Sequence, residues 1–127
     1  MSILISFLLL FFGVGEPADL ANQLESVAFE ELADPVERWR PLVEEYFPAD
    51  EVDTAMCIIG YESAGEPDAD NPRSSATGLF QILAGPWGEH FGVTEEEFTD
   101  PELNIRLARD IWDQLGWGGW TTRRLCD

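Results

Sequence analysis

Apolar residues return at helical spacing in three stretches of this chain, and each stretch has its own stop. Val36, Trp39, Val43, Tyr46 and Phe47 form the first set, which Pro48 closes and into which Pro41 brings a kink. The second predicts a helix from about Val52 to Tyr61 or Glu62, with Ala55, Met56, Ile58 and Ile59 offered for burial and Gly65 and Pro67 ending it. In the third, Thr99-Asp100-Pro101-Glu102 supplies a start that accepts proline in its first turn. Leu103, Leu107, Ile111 and Leu115 then mark one face at four-residue intervals until Gly116. Between the second and third sets, Leu79 to Leu83 is a short apolar run that fits either a strand or the opening turn of a helix. Thr94-Glu95-Glu96-Glu97 has the form of a capping box, Thr94 as N-cap and Glu97 at N3, which accounts for the acidic triplet without any chemistry. Residues 64–77 are loop by composition, dominated by Gly, Pro, Asp, Asn and Ser. No repeat and no strand-rich region is visible. The class is mainly α.

The N-terminal residues, "MSILISFLLLFFGVG", are apolar from Ile3 to Phe12. That is short of the roughly 20 residues a membrane span requires. Gly13-Val14-Gly15 gives the small-x-small ending of a cleavage site, so residues 1–15 are expected to be a signal peptide, or else an N-terminal anchor, although no Lys or Arg precedes the apolar run. Residues 16–35 form an acidic lead-in, and residues 36–127 make one domain. Such a protein is expected to be secreted or associated with the cell wall, with no stable membrane span beyond the N-terminal segment. Export makes a disulfide between the two cysteines, Cys57 and Cys126, plausible. Closing a loop of about 70 residues stabilises a fold by roughly 4 kcal/mol in the chain-entropy view.

Charge narrows the partners. The formal net charge is -18, and all seven basic residues are Arg. A surface of this sign repels nucleic acid. Metal and cofactor chemistry find little support. His90 is the one histidine, it sits between aromatics in "WGEHFG", and neither cysteine has a near partner, so no zinc spacing exists. "DADNPRSSATG" lacks the glycine and terminal Glu of an EF-hand loop, and no phosphate-cradling glycine loop occurs. No cofactor and no metal is expected.

Glu62 remains. In "CIIGYESAGEPDADNPRSSATGLFQI" an apolar run delivers it to the end of a helix, where the helix dipole disfavours a carboxylate. Packing beside Tyr61, Ile58 and Phe80 would strip water from the acid and hold its proton at neutral pH. A proton kept in this way is available to a leaving oxygen.

The order of the surrounding residues resembles the catalytic segment of the soluble lytic transglycosylase family, within the lysozyme-like superfamily. The resemblance rests on Glu62-Ser63, then Gly65-Glu66-Pro67-Asp68-Ala69, Asn71-Pro72 and Gly78-Leu79-Phe80-Gln81. Upstream, "WRPLVEEYFPADEVDTAMCIIGYES" is similar to the helix pair that precedes this glutamate. Downstream, "DPELNIRLARDIW" is similar to the family's Asp-Pro-x-x-Asn-Ile helix, and "GWGGWTT" before Cys126 looks like the tail of small secreted actinobacterial-type members. The resemblance spans roughly residues 36 to 126. It implies a mainly α, lysozyme-like single domain, acting as a monomer on peptidoglycan glycan strands. It further implies that Glu62 protonates the glycosidic oxygen of the MurNAc-β-1,4-GlcNAc bond and then, as a carboxylate, accepts the muramic 6-hydroxyl proton to leave a 1,6-anhydro end. Phe80 and Gln81 match the family's substrate-contacting segment, and Asn71 matches its Ser/Asn position.

The pattern departs from the family in one respect, for the Ala-Tyr-Asn motif that places a tyrosine near the glutamate is missing. Trp112, Trp117 or Trp120 are the candidates for that space, and Trp117 is taken as a sugar-stacking residue. Asp68 or Asp70 positioning a water would make the protein a hydrolytic muramidase of the goose-type kind instead. A catalytically silent peptidoglycan-binding module is the alternative outside enzymes. The net negative charge would itself repel an anionic wall unless salt screened it.

Overall fold

The computed structural model describes residues 34–127, so the expectations for a leader at 1–15 and for most of the acidic lead-in lie outside the described residues. After a 3-10 turn at Glu37–Trp39, helix α1 runs Arg40–Tyr46 with Pro41 in its first turn, where a missing N–H costs nothing. The proline therefore starts this helix instead of kinking it. Phe47 ends it in an extended conformation (φ -115°, ψ 148°), as a residue before proline prefers.

Helix α2, Val52–Ser63, follows a second 3-10 turn and carries Glu62 on its last turn. Its stop is left-handed twice over: Ala64 has φ 54° and Gly65 φ 83°. Gly65 is required there for a second reason, since a Cβ would lie 2.5 Å from the Pro35 carbonyl oxygen. The Gly65 carbonyl accepts hydrogen bonds from Trp39 Nε1 (2.8 Å) and Arg38 Nη2 (3.1 Å). The end of α2 is thereby tied to the segment that enters the domain.

The loop after α2 ends in a two-residue strand, β1 (Ala76–Thr77), paired antiparallel with β2 (Ile82–Leu83) in the register Ala76 to Leu83 and Thr77 to Ile82. The apolar run at 79–83 thus divides. Leu79, Phe80 and Gln81 form the turn, Ile82 and Leu83 the strand, and helix α3 begins at Ala84 and ends at Phe91. The Thr94 to Glu97 capping box is present, with Thr94 N donating to Glu97 Oε1 (2.8 Å) and Glu97 N to Thr94 Oγ1 (3.3 Å). It precedes a 3-10 turn, Glu96–Thr99, and not an α-helix.

Helix α4, Pro101–Leu115, starts as the sequence predicts, with the Asp100 carboxylate accepting from the Glu102 and Leu103 backbone N–H groups. Its buried face is Asn104, Ile105, Leu107, Ala108 and Ile111, and Leu115 is 55% exposed. A strict four-residue step advances about 40° around a helix of 3.6 residues per turn, so the series from Leu103 to Leu115 drifts off the core. The tail consists of two 3-10 turns, Gly116–Gly119 and Thr121–Leu125. Trp120 and Cys126 sink into the core from it, and Cys126 is disulfide-bonded to Cys57 on α2 with a Cα separation of 5.9 Å.

Asn104 is the one polar side chain with no exposure among the buried polar groups. Its Oδ1 accepts from Phe80 N (2.9 Å), and its Nδ2 donates to the Thr77 (3.0 Å) and Phe98 (2.9 Å) carbonyls. Replacing it with Leu removes all three of these hydrogen bonds, and a buried backbone group left without a partner costs about 1–3 kcal/mol. Asn104→Leu is therefore expected to lose about 3 kcal/mol or more in urea unfolding. A loss below about 1 kcal/mol would show that the turn at 78–81 does not need this side chain.

Candidate active site

Glu62 is half-buried one residue before the end of α2. The polarity of the helix end works against a charge there, because the partial negative charge of the helix lies at its C-terminus. Ser63, buried beside it, donates to the Ile59 carbonyl (3.2 Å) and accepts from Gly65 N (3.2 Å), which locks the backbone on which Glu62 stands. From the tail, Thr122 Oγ1 donates to Glu62 Oε2 at 2.8 Å. Loss of water raises the proton affinity of Glu62 above the ordinary carboxylate range, and the Thr122 hydroxyl draws it partly back. Burial and the Thr122 hydroxyl are the two causes of this balance.

The other expected site residues fall into distinct environments. Phe80 is fully buried, its ring 5.9 Å from that of Phe47 and 5.7 Å from that of Trp120. As a side chain it serves the core and has no surface left for a substrate; its carbonyl accepts from Trp120 Nε1 (2.8 Å). Gln81 takes the left-handed conformation (φ 49°) and turns its amide nitrogen onto the Ala69 and Gly78 carbonyls, both at 3.1 Å. Asn71 is partly exposed and holds its own turn, accepting from Arg73 N at 2.9 Å. Trp117 is partly exposed, stacked on Phe47 (5.4 Å, 17°), with its indole N–H on Glu51 Oε1 at 2.7 Å. Asp68 and Asp70 are both exposed. His90 packs edge-on against Trp87 and Phe91.

Thr122 is the group that sequence reasoning missed. It lies 60 residues from Glu62, and a lone threonine carries no local signal. The cysteines could have found it. Cys57 stands five residues before Glu62 and Cys126 four after Thr122, so pairing them lays the tail along the last turns of α2. The hydroxyl beside the acid comes from Thr122; of Trp112, Trp117 and Trp120, the candidates for that space, Trp117 and Trp120 turn their indole N–H groups to Glu51 and to the Phe80 carbonyl. A surface cavity of about 300 Å³ lined by Arg40, Glu44, Ala49, Val52 and Asp53 lies at the opposite end of α2. Its one cation is already paired with Glu37 and Asp53, and it has no access to Glu62.

A folded-state proton affinity raised above the unfolded value carries a sign. Below the unfolded pKa both states hold the proton and nothing is lost; as pH rises through the folded pKa, the buried acid must ionise or the fold must loosen, so stability falls. Glu62→Gln, which keeps an acceptor for Thr122, is expected to melt above wild type at neutral pH and level with it in acid. Calorimetric melting at both pH values tests this. A gap that is the same at both pH values would mean the acid is not strained by burial.

A family profile for the transglycosylase SLT domain matches residues 44–116, more than half of the chain. No curated protein and no solved structure matches it.

Proposed function

Because the chain belongs to the transglycosylase SLT domain family, whose lysozyme-like, mainly α fold it has, we propose that it is a peptidoglycan lytic transglycosylase with Glu62 as its general acid and base. The observation that carries this reading is the half-buried Glu62 carboxyl, whose proton affinity is raised by loss of water and moderated by one hydroxyl. An acid in that state gives its proton to the glycosidic oxygen between MurNAc and GlcNAc as the C–O bond breaks. The substrate's 2-acetamido group stabilises the cationic sugar centre. Glu62, now a carboxylate, then takes the proton of the muramic 6-hydroxyl while that oxygen closes on the anomeric carbon, giving a 1,6-anhydro ring and returning the acid to its starting state. One group serves twice, unlike the paired carboxylates of most glycosidases.

The absence of any charged influence on Glu62 among the described residues supports a lone acid over a pair. Asn71, Gln81 and Trp117 are partly exposed and are proposed to contact the glycan; Phe80, with no exposure, contributes by supporting the turn that presents Gln81. The protein is proposed to act outside the cytoplasm, where its substrate lies.

Glu62→Gln is expected to slow release of fragments from purified peptidoglycan at least about a hundredfold, the scale of a general acid, while binding to the same material persists. Clearance as fast as wild type would end this reading. Mass spectrometry of the wild-type products decides the chemistry, since anhydro ends lack one water relative to the reducing ends left by a hydrolytic muramidase.

A further inference from the structure

Thr122 lies beyond the residues matched by the family, 44–116, yet it is the side chain that hydrogen-bonds Glu62. It is held there from both sides. Two residues before it, Trp120 is buried and fixed through its indole N–H to the Phe80 carbonyl. Four residues after it, Cys126 is buried and covalently joined to α2. Within the turn itself, Arg123 N donates to the Trp120 carbonyl (3.1 Å) and Arg123 Nη1 to the Cys126 carbonyl (2.8 Å). The threonine therefore sits on a strap pinned at two buried points, which gives its hydroxyl one position relative to the last turn of α2.

The geometry points to Thr122 as a positioning residue for Glu62: the pinned tail presents its hydroxyl to Oε2, fixing the carboxyl rotamer and leaving Oε1, which accepts no hydrogen bond among the described residues, for the substrate. This rests on the reading of Glu62 as the acid and names what orients it. A donated O–H also favours the carboxylate, the form Glu62 must take once its proton has left, and so keeps burial from holding the proton too tightly. Charged groups stand on the elements packed against α2: Arg123 and Arg124 in the tail, Arg40, Glu44 and Glu45 on α1, and Asp50 and Glu51 in the turn before α2. On α2 itself stands Asp53, together with the phenol of Tyr61, as Tyr46 supplies a phenol on α1, and Glu66 lies in the loop beyond. Against this background, burial raises the proton affinity of Glu62 and the Thr122 hydroxyl lowers it.

The test is the pH profile of kcat/KM on soluble glycan fragments of peptidoglycan for Thr122→Val, Thr122→Ala and Thr122→Ser. With the hydroxyl gone, Glu62 keeps its proton to higher pH. The alkaline limb of the Val and Ala variants is therefore expected to move upward, with kcat falling about tenfold, the scale of one hydrogen bond to a charged group. Ser is expected to restore both. A purely structural role would lower the rate at every pH without moving the limb. An unmoved limb in whichever of Val and Ala folds, or a displaced limb in Ser, overturns the proposal. If Glu62→Gln is inactive while the Thr122 limb stays in place, only the role of Thr122 falls; if Glu62→Gln is fully active, the reading beneath it falls as well.

Discussion

The structure depends on one buried amide. Asn104 hydrogen-bonds three backbone groups from separate segments: the carbonyls of Thr77 and Phe98 and the N–H of Phe80. Those groups belong to the exit of β1, the turn before α4 and the Gly78 to Gln81 turn. Fixing them together closes the middle of the chain onto its last long helix. The approach is so close that Gly78, at φ 83°, is the one residue that fits: a Cβ would stand 2.3 Å from Asn104 Nδ2. Unmade, the same bonds would leave buried polar groups at full desolvation cost, which is why an asparagine with no exposure is stabilising here.

From that turn the order passes to the acid by short steps. The Phe80 carbonyl receives the Trp120 indole N–H, which seats the tail in the core. The tail carries Thr122 to Glu62. Across this path the acid is balanced between two effects. Loss of water favours the proton, and a single neutral hydroxyl favours the charge. An arginine in place of that hydroxyl would hold Glu62 ionised and useless as a donor. Full burial without it would keep the proton from leaving.

Much of this frame was legible in the sequence. Pro48, Gly65, Asp100 and Gly116 mark helix ends because their backbone chemistry is local, and the structure uses each of them near the predicted boundary. Glu62 was legible because a carboxylate at the close of an apolar helix breaks a local preference. What could not be read is whatever depends on partners far along the chain. Asn104 looks like an ordinary helix residue until Thr77, Phe80 and Phe98 surround it. Phe80 reads equally as ligand contact or core until Phe47 and Trp120 cover it. Leu115 extends an apolar series whose four-residue step rotates it out to solvent.

The disulfide belongs to the same logic. The last dozen residues form only 3-10 turns, which have poorer hydrogen-bond geometry than α-helix, and they offer the core just Trp120 and Cys126 as buried apolar anchors. Three charged side chains lie in this stretch, Arg123, Arg124 and Asp127, and all are partly or fully exposed, so they add little to its packing. A tail so weakly packed would fray if noncovalent contacts alone held it. Joining Cys126 to Cys57 removes that freedom at a point about 1.4 turns of α2 from Glu62, about 7.5 Å along the helix axis. The covalent bond is thus placed where fraying would matter most for the acid. Its contribution to stability and its contribution to the site come from one constraint, the fixed distance between the tail and α2.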